Sequence, residues 1–217
     1  MTNSELRVTD KTRLIRNPAR GSYDRKLAYE IIDSTPMCHV SYVIGGEPYI
    51  TPTFQWRDGN DIFWHGSSAS RFLRNVAGAS VALNVMLFDG IVLARSAYHH
   101  SANFRSVTIF GQAVQLEGDE KTAALKRFVD GLTPGRWETL RPMTDQEIKA
   151  TTVLKMPIDE ASVKLRDGAP ADDEEDYALP VWAGVIQVSQ AVGDAIPDDR
   201  NLPGVEVPDH VSGFTLG

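Results

Sequence analysis

The run Asp61-Ile62-Phe63-Trp64-His65-Gly66-Ser67-Ser68-Ala69-Ser70-Arg71-Phe72-Leu73-Arg74-Asn75 reads as a short strand that enters a helix through small hydroxyl residues and delivers an arginine. Those residue types suit an anion. A helix start leaves backbone N–H groups without intrahelical partners and carries partial positive charge, so a phosphate there meets donors and a favourable dipole. Ser67, Ser68 and Ser70 can add hydroxyl donors, and Arg71 a planar, permanently charged fork. The same residues also suit a plain serine N-cap followed by a surface arginine, and the run matches neither Gly-rich phosphate-loop pattern.

Other titratable residues are less informative. His65, at the strand end, can hydrogen-bond to a backbone carbonyl or face a cleft. In Tyr98-His99-His100, after Arg95, a strand would point the two histidines to opposite faces, which suits one cleft residue rather than a metal pair. Tyr23-Asp24-Arg25 reads as an N-cap aspartate beside a surface arginine.

The elements that must position these residues follow from periodicity. Leu27, Ala28, Ile31 and Ile32 give a helix over residues 24–32, ended by Asp33-Ser34-Thr35-Pro36. Residues 37–43 and 49–56 form a hairpin about Gly45-Gly46, and residues 62–65 a third strand after Asp58-Gly59. Residues 80–87 are a strand that turns at Asp89-Gly90, followed by strand-like runs 91–98 and 104–116. A helix over 119–132 precedes a short one over 144–150, where Thr144 and Glu147 have the form of a capping box. Strands at 151–158, 161–165 and 181–188 complete a mainly β chain with flanking helices, the pattern of an antiparallel barrel.

The chain divides into an N-terminal arm, residues 1–20, that orders by docking, a body, residues 21–190, and a Pro-, Gly- and Asp-rich tail, residues 191–217. With 217 residues it can bury one substantial core. A net charge of −7 argues against nucleic-acid and anionic-membrane partners, and the acidic run 172–176 is expected on a solvated loop. One cysteine, Cys38, excludes an intramolecular disulfide framework and suits a buried position. No apolar run approaches a membrane span and the N-terminus lacks an apolar signal region, so a cytoplasmic protein is expected. There is neither a G-x-S-x-G elbow nor a Rossmann fingerprint.

The strand–helix run, together with Phe104-Arg105-Ser106-Val107-Thr108-Ile109-Phe110-Gly111-Gln112-Ala113, resembles the pyridoxamine 5'-phosphate oxidase-like, FMN-binding split-barrel superfamily, over residues 23–188. The likeness is to its branch of flavin-nucleotide-binding proteins and nitroimidazole-resistance reductases. The resemblance implies an antiparallel split β-barrel, a homodimer, and an FMN in each cleft between subunits. It places Thr51, Thr53, Phe54 and Gln55 against the isoalloxazine ring and His65, Gly66, Ser67, Ser70 and Arg71 at the ribityl and phosphate side. Arg105, Ser106 and Trp182 fall near the cleft, with His65, and His99 beside it, as candidate catalytic residues. The family usually has a basic residue at the position of Ser70, so Arg105 or Arg74 would have to supply the missing charge.

The implied function is an FMN-dependent oxidoreductase that reduces or oxidises a small planar, carbonyl or nitro substrate stacked on the flavin, with NAD(P)H entering an open cleft. The alternative is a non-catalytic module on the same fold that stores or senses FMN, haem or a deazaflavin. A pyridoxamine phosphate oxidase proper fits less well, because no basic set for a second phosphate is apparent. The tail offers Val205, Val207, Val211 and Phe214 as apolar anchors for crossing to a partner subunit.

Overall fold

A computed structural model describes residues 4–216. Helix α1 (Arg25–Asp33) starts at Asp24, whose carboxylate accepts from the Lys26 and Leu27 amides and so satisfies two orphan donors. Strands β2 (Met37–Ile44) and β3 (Glu47–Asp58) form the first hairpin. Gly45 and Gly46 both take positive φ there, which a two-residue turn between right-twisted strands requires. Strand β4 (Asp61–Ser67), helix α2 (Arg71–Val76) and the long strands β5 (Ser80–Leu93) and β6 (Ser101–Gln112) follow.

The two-residue strands β1 (Gly21–Ser22) and β7 (Val114–Gln115) close the edges. Helix α3 (Gly118–Leu132), helix α4 (Asp145–Ala150), β8 (Thr151–Pro157), β9 (Glu160–Arg166), β10 (Gly184–Gln187) and α5 (Asp209–Ser212) complete the order. The expected capping box is present, with the Thr144 side chain accepting from the Glu147 amide and Glu147 reaching back.

Every strand pairing is antiparallel, in the order β1-β9-β6-β5-β2-β3-β4-β8-β7 with β10 added to β5. This is the expected antiparallel split barrel. Ile31 and Ile32 of α1 close over an interior of Val40, Ile62, Trp64, Leu83, Val85, Ile109, Leu154 and Met156. Cys38 lies in that interior, fully buried, its thiol pushed up to about 12 by desolvation. A second cluster forms on the outer face of β3, β4 and β8, where Trp56, Phe63 and Val153 meet Ala124, Leu125 and Phe128 of α3.

Several local expectations are corrected. Asp89-Gly90 is no turn: β5 runs through it with a shift in register between Phe88 and Gly90. Gly90 is needed for approach, since a Cβ there would lie 2.8 Å from the Ile186 carbonyl oxygen of β10. The strand read over 91–98 ends at Leu93, and the last strand spans Gly184–Gln187 rather than 181–188. The acidic run is not wholly solvated. Asp172 is buried because Arg95 meets it twice, through its backbone amide at 2.8 Å and its guanidinium at 2.9 Å.

Arg25 is no surface residue either. Its side chain is 12 % exposed and donates to Asn60 and, at 2.7 Å, to the Ile158 carbonyl, tying α1 to two distant turns. The N-terminal arm does dock, with Leu6 and Thr12 buried and the Leu6 and Arg7 amides bonded to the Tyr23 and Asp159 carbonyls. No helix among the described residues is long and apolar enough to cross a membrane.

Candidate functional site

The corner between β4 and α2 is built on Gly66. A Cβ there would come within 2.9 Å of Leu73 Cδ1, so glycine lets the buried face of α2, Phe72, Leu73 and Val76, lie flat on the end of β4. Ser67 stabilises the turn by accepting from the Ala69 amide at 3.2 Å, and the Ser68 amide donates to the Ala150 carbonyl at 2.8 Å. Ser70 is the N-cap, but its hydroxyl makes no capping bond.

Arg71 therefore leaves an uncommitted polar corner. Its guanidinium lies 5.1 Å from the Tyr49 ring and donates to the Tyr49 hydroxyl at 3.2 Å, with no carboxylate in reach among the described residues. Tyr49 stacks on Tyr42, and Tyr42 on Phe72, so the arginine rests on a stack rooted in the core. Arg74 turns back to the Ala69 carbonyl at 2.9 Å.

His65 faces the other side of β4. Its ring is half-buried, with centroids 4.5 Å from Phe128 and 5.7 Å from Trp56, and Phe54 meets Phe128 edge-on at 5.7 Å. Nδ1 is buried with no hydrogen-bond partner, and no hydrogen bond reaches the other ring nitrogen among the described residues. Burial holds this imidazole below its ordinary pKa, so it is neutral at pH 7. Among the described residues neither nitrogen of this imidazole is committed to a hydrogen bond, so the neutral ring keeps a lone pair available among the aromatic rings.

The other expected site residues separate. Alternation along β3 sends Thr51, Thr53 and Gln55 inward and Phe54 outward, so the four cannot share one ring face. Thr51 shares a hydrogen bond with Tyr42 at 3.1 Å, and Thr53 donates to the His65 carbonyl at 3.5 Å. Gln55 is committed to the fold, since its Nε2 donates to the Ile32 and Thr35 carbonyls at 2.7 and 2.6 Å. Arg105 is neutralised by Asp89 through two bonds of 2.7 and 3.0 Å, and its strand is separated from β4 by β5, β2 and β3. Ser106 donates to the Lys164 carbonyl.

His99 is not on a strand. It ends a 3-10 turn, Ala97–His99, and meets Asp173 at 3.3 Å, while His100 Nδ1 lies 2.8 Å from the Ser96 carbonyl oxygen. With Arg95 and Asp172 it fastens the acidic segment, a role set by contacts more than seventy residues apart and invisible to local spacing. Trp182 is 68 % exposed and folds its ring against Gly184. Residue types alone missed Phe128 and Trp56 as walls around His65, because an aromatic at helical spacing reads as core.

A family model described as pyridoxamine 5'-phosphate oxidase matches residues 24–165, more than half of the chain. The chain belongs to this family. Among solved structures, this family member is similar to the flavocytochrome Anf3 from Azotobacter vinelandii, with 46 % identity and a TM-score of 0.92 over 96 % of this chain and 98 % of that one. It is similar also to an FAD and haem binding protein from Mycobacterium smegmatis, with 35 % identity and a TM-score of 0.87 over 90 % and 97 %. A candidate 5-nitroimidazole antibiotic resistance protein from Bacteroides thetaiotaomicron shares the fold, at 20 % identity and a TM-score of 0.54 over 66 % and 85 %. No curated protein matches this oxidase-family chain.

Proposed function

We propose that this chain is an oxidoreductase of flavocytochrome type, holding a flavin and a haem, and that it works as a homodimer. The observation that carries the reading is His65, neutral and half-buried with an unpartnered ring nitrogen inside an aromatic cage. Support comes also from two relatives, at 46 % and 35 % identity over nearly the whole chain, that are named for a flavin and a haem together. FAD replaces FMN as the flavin of choice on the second name.

The residues fit both groups. His65 would hold the haem iron, since only a neutral ring offers a lone pair to a metal, and Phe54, Trp56 and Phe128 would exclude water beside it. Arg71, with the Ser68 and Ser70 hydroxyls, would meet a flavin phosphate, and the Tyr49 ring would keep the guanidinium in place meanwhile. Thr51 and Thr53, on the adjoining strand, would line the same side. When bound, a flavin takes an electron pair as hydride and a haem passes electrons singly, so the pair links a two-electron donor such as NAD(P)H to a one-electron acceptor. The protein's own task is to hold both groups and limit access, and a small planar quinone or nitro compound, which takes electrons one at a time, is the acceptor class proposed.

An absorbance spectrum after reconstitution with FAD and haem tests this. The expected result is one flavin and one Soret-absorbing haem per chain, with His65→Ala losing haem while keeping flavin and Arg71→Ala the reverse. A protein that takes up neither group, or keeps haem in His65→Ala, sinks the assignment.

A further inference from the structure

The connection from α3 to α4, residues 133–144, is pinned at two points. The Asp130 carboxylate of α3 accepts from the Trp137 amide at 3.0 Å, and Arg141 donates to both Glu147 carboxylate oxygens of α4, at 2.6 and 2.9 Å. Between this connection and the two helices lies a cavity of about 320 Å³, walled by Trp137, Leu140, Met143 and Ile148 with Thr122 of α3. Its polar chemistry is one-sided. The Thr122 hydroxyl and the Trp137 indole N–H have no hydrogen-bond partner among the described residues, so both are donors still to be used. The two charged residues of the lining are already spent. Glu138 is paired with Lys126, which also reaches Asp130 at 3.1 Å, and Arg141 is paired with Glu147, whose carboxyl the guanidinium and Thr144 hold down at about 2.

We propose that this cavity is the docking site of the electron acceptor, a neutral quinone of one or two rings. Its volume stands at the lower end of the range usual for small-molecule pockets, which suits a compact planar molecule. The carbonyl oxygens of a quinone accept hydrogen bonds and donate none, which matches the two unused donors, and its flat ring suits the Trp137 indole and the Met143 thioether. An anion of the same shape would lose its hydration and find no free cation in the lining to replace it.

The inference rests on the flavocytochrome reading and gives its acceptor a place apart from the His65 cage. Trp137 and Met143 pack on the cluster that contains Trp56, Phe63, Leu125 and Val153. Within it Trp56 stacks on Phe63 with centroids 5.5 Å apart and lies 5.7 Å from the His65 ring. One continuous set of packed side chains therefore joins the cage wall to the cavity wall, and the acceptor need not displace what the cage holds. Over a full turnover one hydride from NAD(P)H and one proton from solvent convert the quinone to its hydroquinone and leave NAD(P)+.

Calorimetric titration of the full chain with menadione, with and without FAD and haem loaded, tests the site. One molecule per chain is expected to bind in both states, so the result can be read even if the chain takes up neither cofactor. Thr122→Val, which keeps the shape and removes the hydroxyl, is expected to weaken binding about threefold to tenfold. Ile148→Trp, which fills the cavity, is expected to abolish it, and His65→Ala to leave it unchanged. Phthiocol, the analogue ionised at neutral pH through its ring hydroxyl, is expected to bind about tenfold more weakly or worse. Absence of menadione binding overturns the proposal, as does binding that requires the loaded cofactors or is lost in His65→Ala, since the quinone then sits in the cage. Unchanged affinity in Thr122→Val or in a folded Ile148→Trp protein overturns it as well, and so does equal affinity for phthiocol.

Discussion

His65 carries opposite demands from burial and from chemistry. Desolvation lowers its folded pKa below the value near 6.5 of an unfolded chain. The stability that the neutral ring contributes is therefore complete above pH 6.5 and declines as pH falls through it. His65→Gln removes the titration while keeping a polar side chain of similar size. Urea midpoints of the two proteins should differ more at pH 7.5 than at pH 5.0, and a constant gap would mean that the ring is already solvated. Cys38 gives the converse case at high pH. Its thiol rises from 9.0 to about 12, so the folded state loses stability across pH 9 to 12 as the unfolded chain ionises first. A thiol reagent at pH 8 should label Cys38 only in denaturant; labelling of the native protein would show that the barrel opens there.

At the scale of elements, the corner made by β4 and α2 depends on one missing methyl group. Gly66→Ala puts a Cβ 2.9 Å from Leu73 Cδ1, and Leu73 is 2 % exposed with nowhere to move. The expected cost is about 1–3 kcal/mol of stability, the usual range for overpacking, together with weaker flavin uptake as α2 tilts and carries Arg71 from the Tyr49 stack. Unchanged uptake would show that Arg71 does not hold the phosphate. This corner was legible in the sequence because its signals are local: alternation in Ile62 and Trp64, a hydroxyl-rich turn, and a helix period. The hairpin glycines and the Thr144 capping box were legible for the same reason. Arg25, Asp172 and His99 were not, since their roles depend on partners 35 to 134 residues away that no periodicity encodes. Gly90 was misread as a turn because a glycine required by a neighbouring strand looks the same in sequence as one required by a positive φ.

The whole molecule has two appendages of unlike kind. The N-terminal arm is fastened to its own barrel: Leu6 is 3 % exposed and Thr12 1 % exposed, Thr9 donates to Glu160 at 2.6 Å, and the Leu6 and Arg7 amides are bonded across to Tyr23 and Asp159. Residues 189–208 of the C-terminal tail have no buried side chain and no backbone hydrogen bond to the barrel among the described residues. Burying Leu6 alone contributes about 1.5–3 kcal/mol, a term internal to one chain and independent of protein concentration. A contact between two chains adds stability that grows with concentration, because mass action favours the associated state. Thermal unfolding at two protein concentrations about a hundredfold apart therefore separates the two arms. Removing residues 1–13 should lower the midpoint equally at both concentrations. Replacing residues 190–207 by a short Gly-Ser linker should lower it mainly at the higher concentration and reduce the concentration dependence itself. The reverse pattern, with the N-terminal deletion abolishing the concentration dependence, would place the subunit contact at the docked N-terminus.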